Sequence, residues 1–298
     1  MNTDMTTLNN DDAALMAELY GNASLASSKK QDSKLGVLKL VQKAIMGEIE
    51  VAGKSIKTEV IPEGAYELYI QEQKVYCITP RIRIFGHKQL WTFWDGDNNK
   101  MHRSLLADDL KGSLKDTMGT FNLGRPAYIQ DWKALPKSDQ EFIRARRRTF
   151  LLQGVIDFDG ACMDAGGKTL EGFEHTPFTM EIKNADSIEG LHNIIKKINL
   201  DHNCTKGNVI DIQLGSKQHD SSMGTFSTMI FSIPKGAVAE TQAEFIGRER
   251  DTLKSFAAWN NMRNTYVKEQ WSQNNKEELN DEETDLVSKL VDVEGAPV

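Results

Sequence analysis

Two groups of side chains in this chain have the types and spacing that chemistry requires. The first is Asp159, in DFDG, followed by Glu181 and Lys183 in MEIKN. A carboxylate on one strand and Glu-x-Lys on the next is the pattern of a large class of metal-dependent nucleases. There the acids hold Mg²⁺ and the lysine assists the attacking water. Strand alternation puts Glu181 and Lys183 on one face. The motif is short, however, and Glu-x-Lys recurs by chance in many strands.

The second group is basic and aromatic. In RIRIFGHKQLWTFW (81–94), Arg81 and Arg83 share one face of a strand and the two isoleucines the other. Lys88 follows, and in LWTFW the pair Trp91 and Phe93 opposes Leu90, Thr92 and Trp94. The stretch GTFNLGRPAYIQDW (119–132) adds Phe121, Arg125 and Tyr128 and has the composition of a flexible clamp. RARRR then supplies Arg144, Arg146, Arg147 and Arg148. Cations beside displayed rings are what an unpaired polynucleotide needs. Phosphates are neutralised with counterion release, and bases stack on rings at ~1–3 kcal/mol each. One strand hairpin alone reads more simply as core with a solvated rim. Three such clusters between residues 81 and 148 shift the reading to nucleic-acid binding. Arg81, Arg83, Lys88, Arg125, Arg146 and Arg148 are then the phosphate partners, and Trp91, Trp94, Phe121 and Tyr128 the stacking candidates.

Other chemistries find no support. His202-Asn-Cys204 is the one close His/Cys pair, and two ligands do not make a zinc site. GxSxG, HExxH, GxGxxG and GxxxxGK[ST] do not occur. The expectation is a protein without cofactor or metal, and not an enzyme.

Charge is unevenly spread along the 298 residues, whose net value is −7. Residues 81–148 hold fourteen Lys or Arg against eight Asp or Glu, a surplus of six. Residues 274–298 hold eight acids and two lysines, a deficit of six. A basic middle offset by an acidic end suggests a binding surface plus a tail. The sharper reading has the tail occupying the basic groove until DNA displaces it, then contacting replication or recombination proteins. The plainer one is a solubilising tail. No run reaches the ~18 apolar residues of a membrane span. Three dispersed cysteines without CxxC fit a reducing compartment, and the N-terminus lacks a secretory pattern, so the expected location is the cytoplasm.

The elements that must position these residues follow from period and turn chemistry. Residues 1–34 read as a flexible arm, 35–273 as one nucleic-acid-binding domain, and 274–298 as an acidic disordered tail. Short strands are expected at IMGEIEV, SIKTEVI and AYELYI, then KVYCITPRIRIFG bent or interrupted at Pro80, and KQLWTFW returning through DGDNN into KMHRSLLA. Later come a helix from Lys137 capped by Ser138, a strand from about Arg147, FTMEIKN, a helix at ADSIEGLHNIIKKINL capped by Asp186, and strands NVIDIQL and TFSTMIFSI. A capping box at Thr241 and Glu244 opens a long helix whose face carries Phe245, Leu253, Phe256, Met262 and Tyr266. The expected fold is α+β: an OB-like antiparallel β-barrel, closed or half-closed, with long loop and helix insertions and a C-terminal helix.

This layout over residues 45–298 resembles phage-encoded single-stranded DNA-binding proteins of the OB-fold type. The shared features are short strands, a basic-aromatic surface, no catalytic motif and a detachable acidic C-terminus. IMGEIEVAGK, IRIFG and GTFNLGRPAYIQDW are also similar to uncharacterised proteins of marine tailed phages. The resemblance implies protection of unpaired strands during replication or recombination, in the host cytoplasm, with protein partners reached through the tail. It departs at the end, GAPV, where such tails often finish on an aromatic residue. The sequence also allows a homo-oligomer, or a virion or scaffold protein whose Asn/Ser-rich arm embraces a neighbour.

Overall fold

The computed structural model describes residues 35–51, 54–126, 129, 131–158, 162–201, 209–221 and 224–275. The arm at 1–34, Tyr128, Asp159, His202, Cys204 and the acidic segment after 275 lie outside them. The period-two stretches form strands β1 (Gly36–Leu40), β2 (Ile45–Val51), β3 (Lys54–Ile61), β4 (Tyr66–Ile70), β5 (Gln73–Cys77), β6 (Arg81–Asp95) and β7 (Lys100–Arg103). After these come β8 (Arg147–Asp157), β9 (Cys162–Met163), β10 (Thr169–Leu170), β11 (Thr176–Ile182), β12 (Ile212–Ser221) and β13 (Gly224–Ser232). The helices are α1 (Lys137–Ala145), α2 (Ala185–Asp201) and α3 (Gln242–Asn274), with a 3₁₀ turn at Asn122–Gly124.

A sequential meander would pair neighbours in chain order, and this sheet does not. Its order is β10-β9-β5-β4-β1-β11-β8-β6-β12-β13, with β7 on the far half of β6 and β2–β3 a separate hairpin. Every pair is antiparallel except β1 with β11. The terminal strands β10 and β13 do not pair with each other, so among the described residues no barrel closes. The molecule is α+β around a large mixed sheet. The β12–β13 hairpin nevertheless curls back toward the far half. Tyr66 Oη donates to the Gly215 carbonyl at 2.7 Å. The Gln42 side-chain amide exchanges two bonds with the Ser227 backbone, at 3.1 and 3.0 Å.

Strand β8 shows how the two faces are used. Phe150, Leu152 and Ile156 enter the main core with Phe178 and Met180 of β11 and with Ile188, Leu191, Ile194 and Ile198 of α2. The alternate residues meet α3: Val155 and Phe85 pack with Phe245, Leu253 and Phe256, while Leu151, Leu90 and Leu106 lie beside Trp259. Gln153 and Asn260 exchange two amide hydrogen bonds in this interface, at 2.9 and 3.0 Å, which fixes how α3 is rotated on the sheet.

Several element ends differ from expectation. The α3 capping box is present, with Thr241 and Glu244 bonded reciprocally at 3.4 and 3.1 Å. Met262 and Tyr266 are exposed, because the buried stripe of α3 runs 253, 256, 260 and 267 and they fall off that spacing. Pro136, not Ser138, stands at the N-cap of α1, and the Ser138 hydroxyl turns to Asp139. In α2 the Asn184 side chain accepts from the Ser187 N–H at 3.0 Å, the role expected of Asp186. The stretches at RIRIFG and KQLWTFW form one fifteen-residue strand. Among the described residues no helix is long and apolar enough to cross a membrane.

Candidate nucleic-acid interface

A bulge at Phe85 decides where the basic-aromatic residues go. Ile84 pairs with Gly154 and Gly86 with Gln153, so one extra residue sits on β6. Gly154 is required there, since a Cβ would overlap the Arg83 carbonyl oxygen. Cross-strand partners share a face. Arg81 and Arg83 pair with Asp157 and Val155 on the α3 face, whereas Trp91 pairs with Arg148 on the opposite one. Without the bulge all these odd-numbered positions of β6 would lie together.

On the α3 face the expected phosphate partners are already occupied. Arg83 Nε lies 2.5 Å from Asp211 and its Nη1 3.3 Å from Glu240. Arg81 faces the same Asp211 at 3.7 Å. Lys88 has a side chain only 7% exposed and an ion pair with Asp108 at 3.0 Å. Trp94 shares this face at the far end of β6, where it is 52% exposed.

Four of the expected residues do come together on the other face. The Arg125 guanidinium lies 4.4 Å over the Trp91 ring and donates to the Ile143 carbonyl at 3.1 Å. Arg146 lies over Phe93 at 4.1 Å and Phe142 at 3.3 Å, and bonds the carbonyls of Leu123 and Phe142. Arg148 sits over Phe150 at 4.6 Å and donates twice to Gln89 Oε1, at 3.0 and 2.8 Å. Arg144 and Trp132 extend the cluster, 5.2 Å apart. Burial lowers the pKa of Arg125, Arg146 and Arg148, yet a guanidinium stays charged at neutral pH. Arg146 is buried and acts as a strut, while Arg148 is exposed and Arg125 half-buried. The patch offers delocalised cations on flat rings, a surface suited to a phosphate chain with bases.

The segment read as a flexible clamp is pinned in its first half. The fully buried Asp116 carboxylate accepts from the N–H groups of Met118, Thr120 and Leu123, at 2.8, 3.1 and 2.7 Å, and from the Thr120 hydroxyl at 2.9 Å. Phe121 is carried on this knot, 47% exposed, with its ring 5.9 Å from Trp271. It therefore lies beside the end of α3, at a hollow of about 860 Å³ that Asp95, Lys100 and His102 also line.

Strands β1 and β11 pair only at Gly36–Phe178 and Val37–Thr179 and then part, opening a cleft of about 640 Å³. Its walls carry Lys39, Arg147, Lys183 and Arg263, with Glu181 the one acid. Glu181 binds Arg263 at 3.1 Å and Lys183 at 3.3 Å. Burial pushes the Glu181 carboxyl up, but Arg263, Lys183 and Arg103 outweigh it and hold the pKa below the ordinary carboxylate value. Glu181 and Lys183 thus share a face, as the nuclease pattern needs, while Asp159 lies outside the described residues. Among those residues no three His, Cys, Asp or Glu side chains are grouped to hold a metal ion. Sequence reading passed over Lys39 and Arg263, and grouped Arg147 with its RARRR neighbours, because four separate segments meet here. The usable signal was Trp259 and Arg263, one helical turn apart, with the guanidinium 4.6 Å over the ring.

No protein-family model, curated protein or solved structure matches the chain.

Proposed function

We propose that this protein binds single-stranded DNA and protects unpaired strands during phage replication or recombination, in the host cytoplasm and without catalysing a reaction. The observation that carries the reading is the convergence of Arg125 over Trp91 with Arg148 on the same face. Phosphates are met by the outer N–H groups of Arg125 and Arg148, and bases by Trp91, with Trp94 and Phe121 as outlying rings. The reading takes from the resemblance its surface chemistry, not a closed OB-type barrel.

Glu181 supports an anion-binding surface rather than a Mg²⁺ centre, because Arg263 and Lys183 hold it where a metal-binding acid would need other carboxylates. The acidic segment after 275 begins where α3 ends and serves as the competitor that DNA displaces, and as the contact to replication or recombination proteins.

The test is a salt titration of binding to oligo(dT), to duplex DNA and to RNA of equal length. Tight, salt-sensitive binding to oligo(dT) with weak duplex binding is expected. Equal affinity for duplex, or no binding to oligo(dT), overturns the reading.

A further inference from the structure

The cleft between β1 and β11 has a composition that the strand-binding patch does not explain. Lys39, Arg147, Lys183 and Arg263 face one acid, a surplus of three positive charges around about 640 Å³. Only Lys183 and Arg263 share Glu181. Arg147 and Lys39 have no ion pair among the described residues. Glu67, opposite Lys39 on β4, is taken by Lys74 at 3.2 Å and by the Tyr76 hydroxyl at 2.9 Å. Like charges lining one concavity repel one another, and an arriving anion reduces that repulsion.

The walls are also preorganised and partly flat. Trp259 and Arg263 project into the cleft from α3, whose rotation the Gln153–Asn260 amide pair sets one turn away. The opposite wall, with Phe226 and Met229, is tied to the end of β1 by the Gln42–Ser227 exchange. Cations beside two rings and apolar Val37 and Leu151 suit a ligand with an anionic end and a flat apolar body. The volume lies in the range of small-ligand sites. A phosphodiester brings one negative charge and a phosphomonoester nearly two, and the monoester is the better match to this surplus.

From this we infer that the cleft is a binding site for a nucleoside phosphomonoester, supplied either as a free nucleotide or as the phosphorylated end of a strand. Arg147, Lys39 and Arg263 hold the phosphate, with Lys183 closing the site over Glu181. Trp259 and Phe226 flank the base. The site uses none of the side chains of the strand-binding patch, so it stands or falls separately from the function proposed above.

The experiment uses the full chain and the surface variant K39A/R147A, whose two side chains are exposed and unpaired. Calorimetry with dTMP is run beside oligo(dT) bearing a 5′-phosphate, a 3′-phosphate or hydroxyls at both ends. The wild type is expected to bind dTMP, or to prefer a phosphorylated end at least fivefold over hydroxyl ends. K39A/R147A should lose that binding or preference at least tenfold, while its affinity for the hydroxyl-ended strand changes less than threefold. A preference for one phosphorylated end without dTMP binding identifies the strand end as the source, and dTMP binding without end preference identifies the free nucleotide. Absence of both in the wild type overturns the proposal, as does equal weakening of all strands by K39A/R147A. Failure of the hydroxyl-ended strand to bind, with dTMP still bound, counts against strand binding and leaves the cleft standing.

Discussion

Arg147 and Arg148 are consecutive on β8 and serve different surfaces: Arg147 lines the cleft where β1 and β11 part, while Arg148 lies over Phe150 and is tied to Gln89. Strand alternation alone produces this division. If strands bind on the Trp91 face, the two arginines have separable effects. Arg148→Ala should weaken oligo(dT) binding severalfold and reduce the salt slope by about one unit. Arg147→Ala should leave the hydroxyl-ended strand nearly unaffected. Fluorescence anisotropy across a salt series reads both.

Arg83 gives the contrasting case. Two carboxylates hold it, Asp211 and Glu240, and its side chain is mostly covered. Arg83→Ala should leave the oligo(dT) salt slope unchanged and lower stability by about 1–3 kcal/mol, since Asp211 and Glu240 each lose one charged hydrogen bond while keeping a second cation, Arg81 and Arg248. Urea unfolding beside the binding titration separates these effects.

At Gly154 the prediction concerns the backbone. An added Cβ would meet the Arg83 carbonyl oxygen inside contact distance. Gly154→Ala should therefore cost about 3 kcal/mol or more through forced displacement of β6. A variant as stable as the wild type in urea would show that the bulge is not seated there.

Asp116 organises the segment that carries Phe121. Replacing it by alanine leaves three backbone N–H groups and a hydroxyl without their acceptor. A loss of about 3 kcal/mol is expected, with faster amide exchange confined at first to residues 116–123.

The pH dependence has a definite sign. His102 and His192 both sit below their ordinary value of 6.5, chiefly through burial, with Lys100 adding to the effect on His102 and Arg148 to that on His192. The folded protein then takes up these protons later than the unfolded chain does as pH falls. Stability is fully present above about pH 6.5 and declines below it until the folded-state values are passed. Urea unfolding at pH 7.5 and 5.5 should show the drop, and H102Q/H192Q should shrink it.

Local chemistry was legible in the sequence, and register was not. The Thr241–Glu244 capping box, the apolar face of Ile188, Leu191, Ile194, Ile195 and Ile198 (Ile195 only partly buried) and the DGDNN turn each depend on residues a few positions apart, and each is found where expected. The bulge at Phe85 depends on what β8 places opposite, so nothing in RIRIFGHKQLWTFW announces that its arginines and Trp91 part company. Arg146, Arg147 and Arg148 likewise look equivalent as text. One is a buried strut, one lines a cleft and one lies on an open patch, a distinction made by which strand and helix pass nearby. The cleft was invisible for the same reason, since β1 and β11 meet only through a long-range parallel pairing.

That pairing bears on how the chain is made. Strand β1 lies inside the sheet, with β4 on one side and β11 on the other, and Thr179 bonds Gly36 across 143 residues of chain. During synthesis one flank of β1 can be covered as soon as β4 emerges, while the other stays bare until β11 has left the ribosome. An uncovered strand flank invites pairing with other chains. Conditions that slow translation between these two strands should therefore tax the solubility of the nascent protein more than any weakness of its finished core.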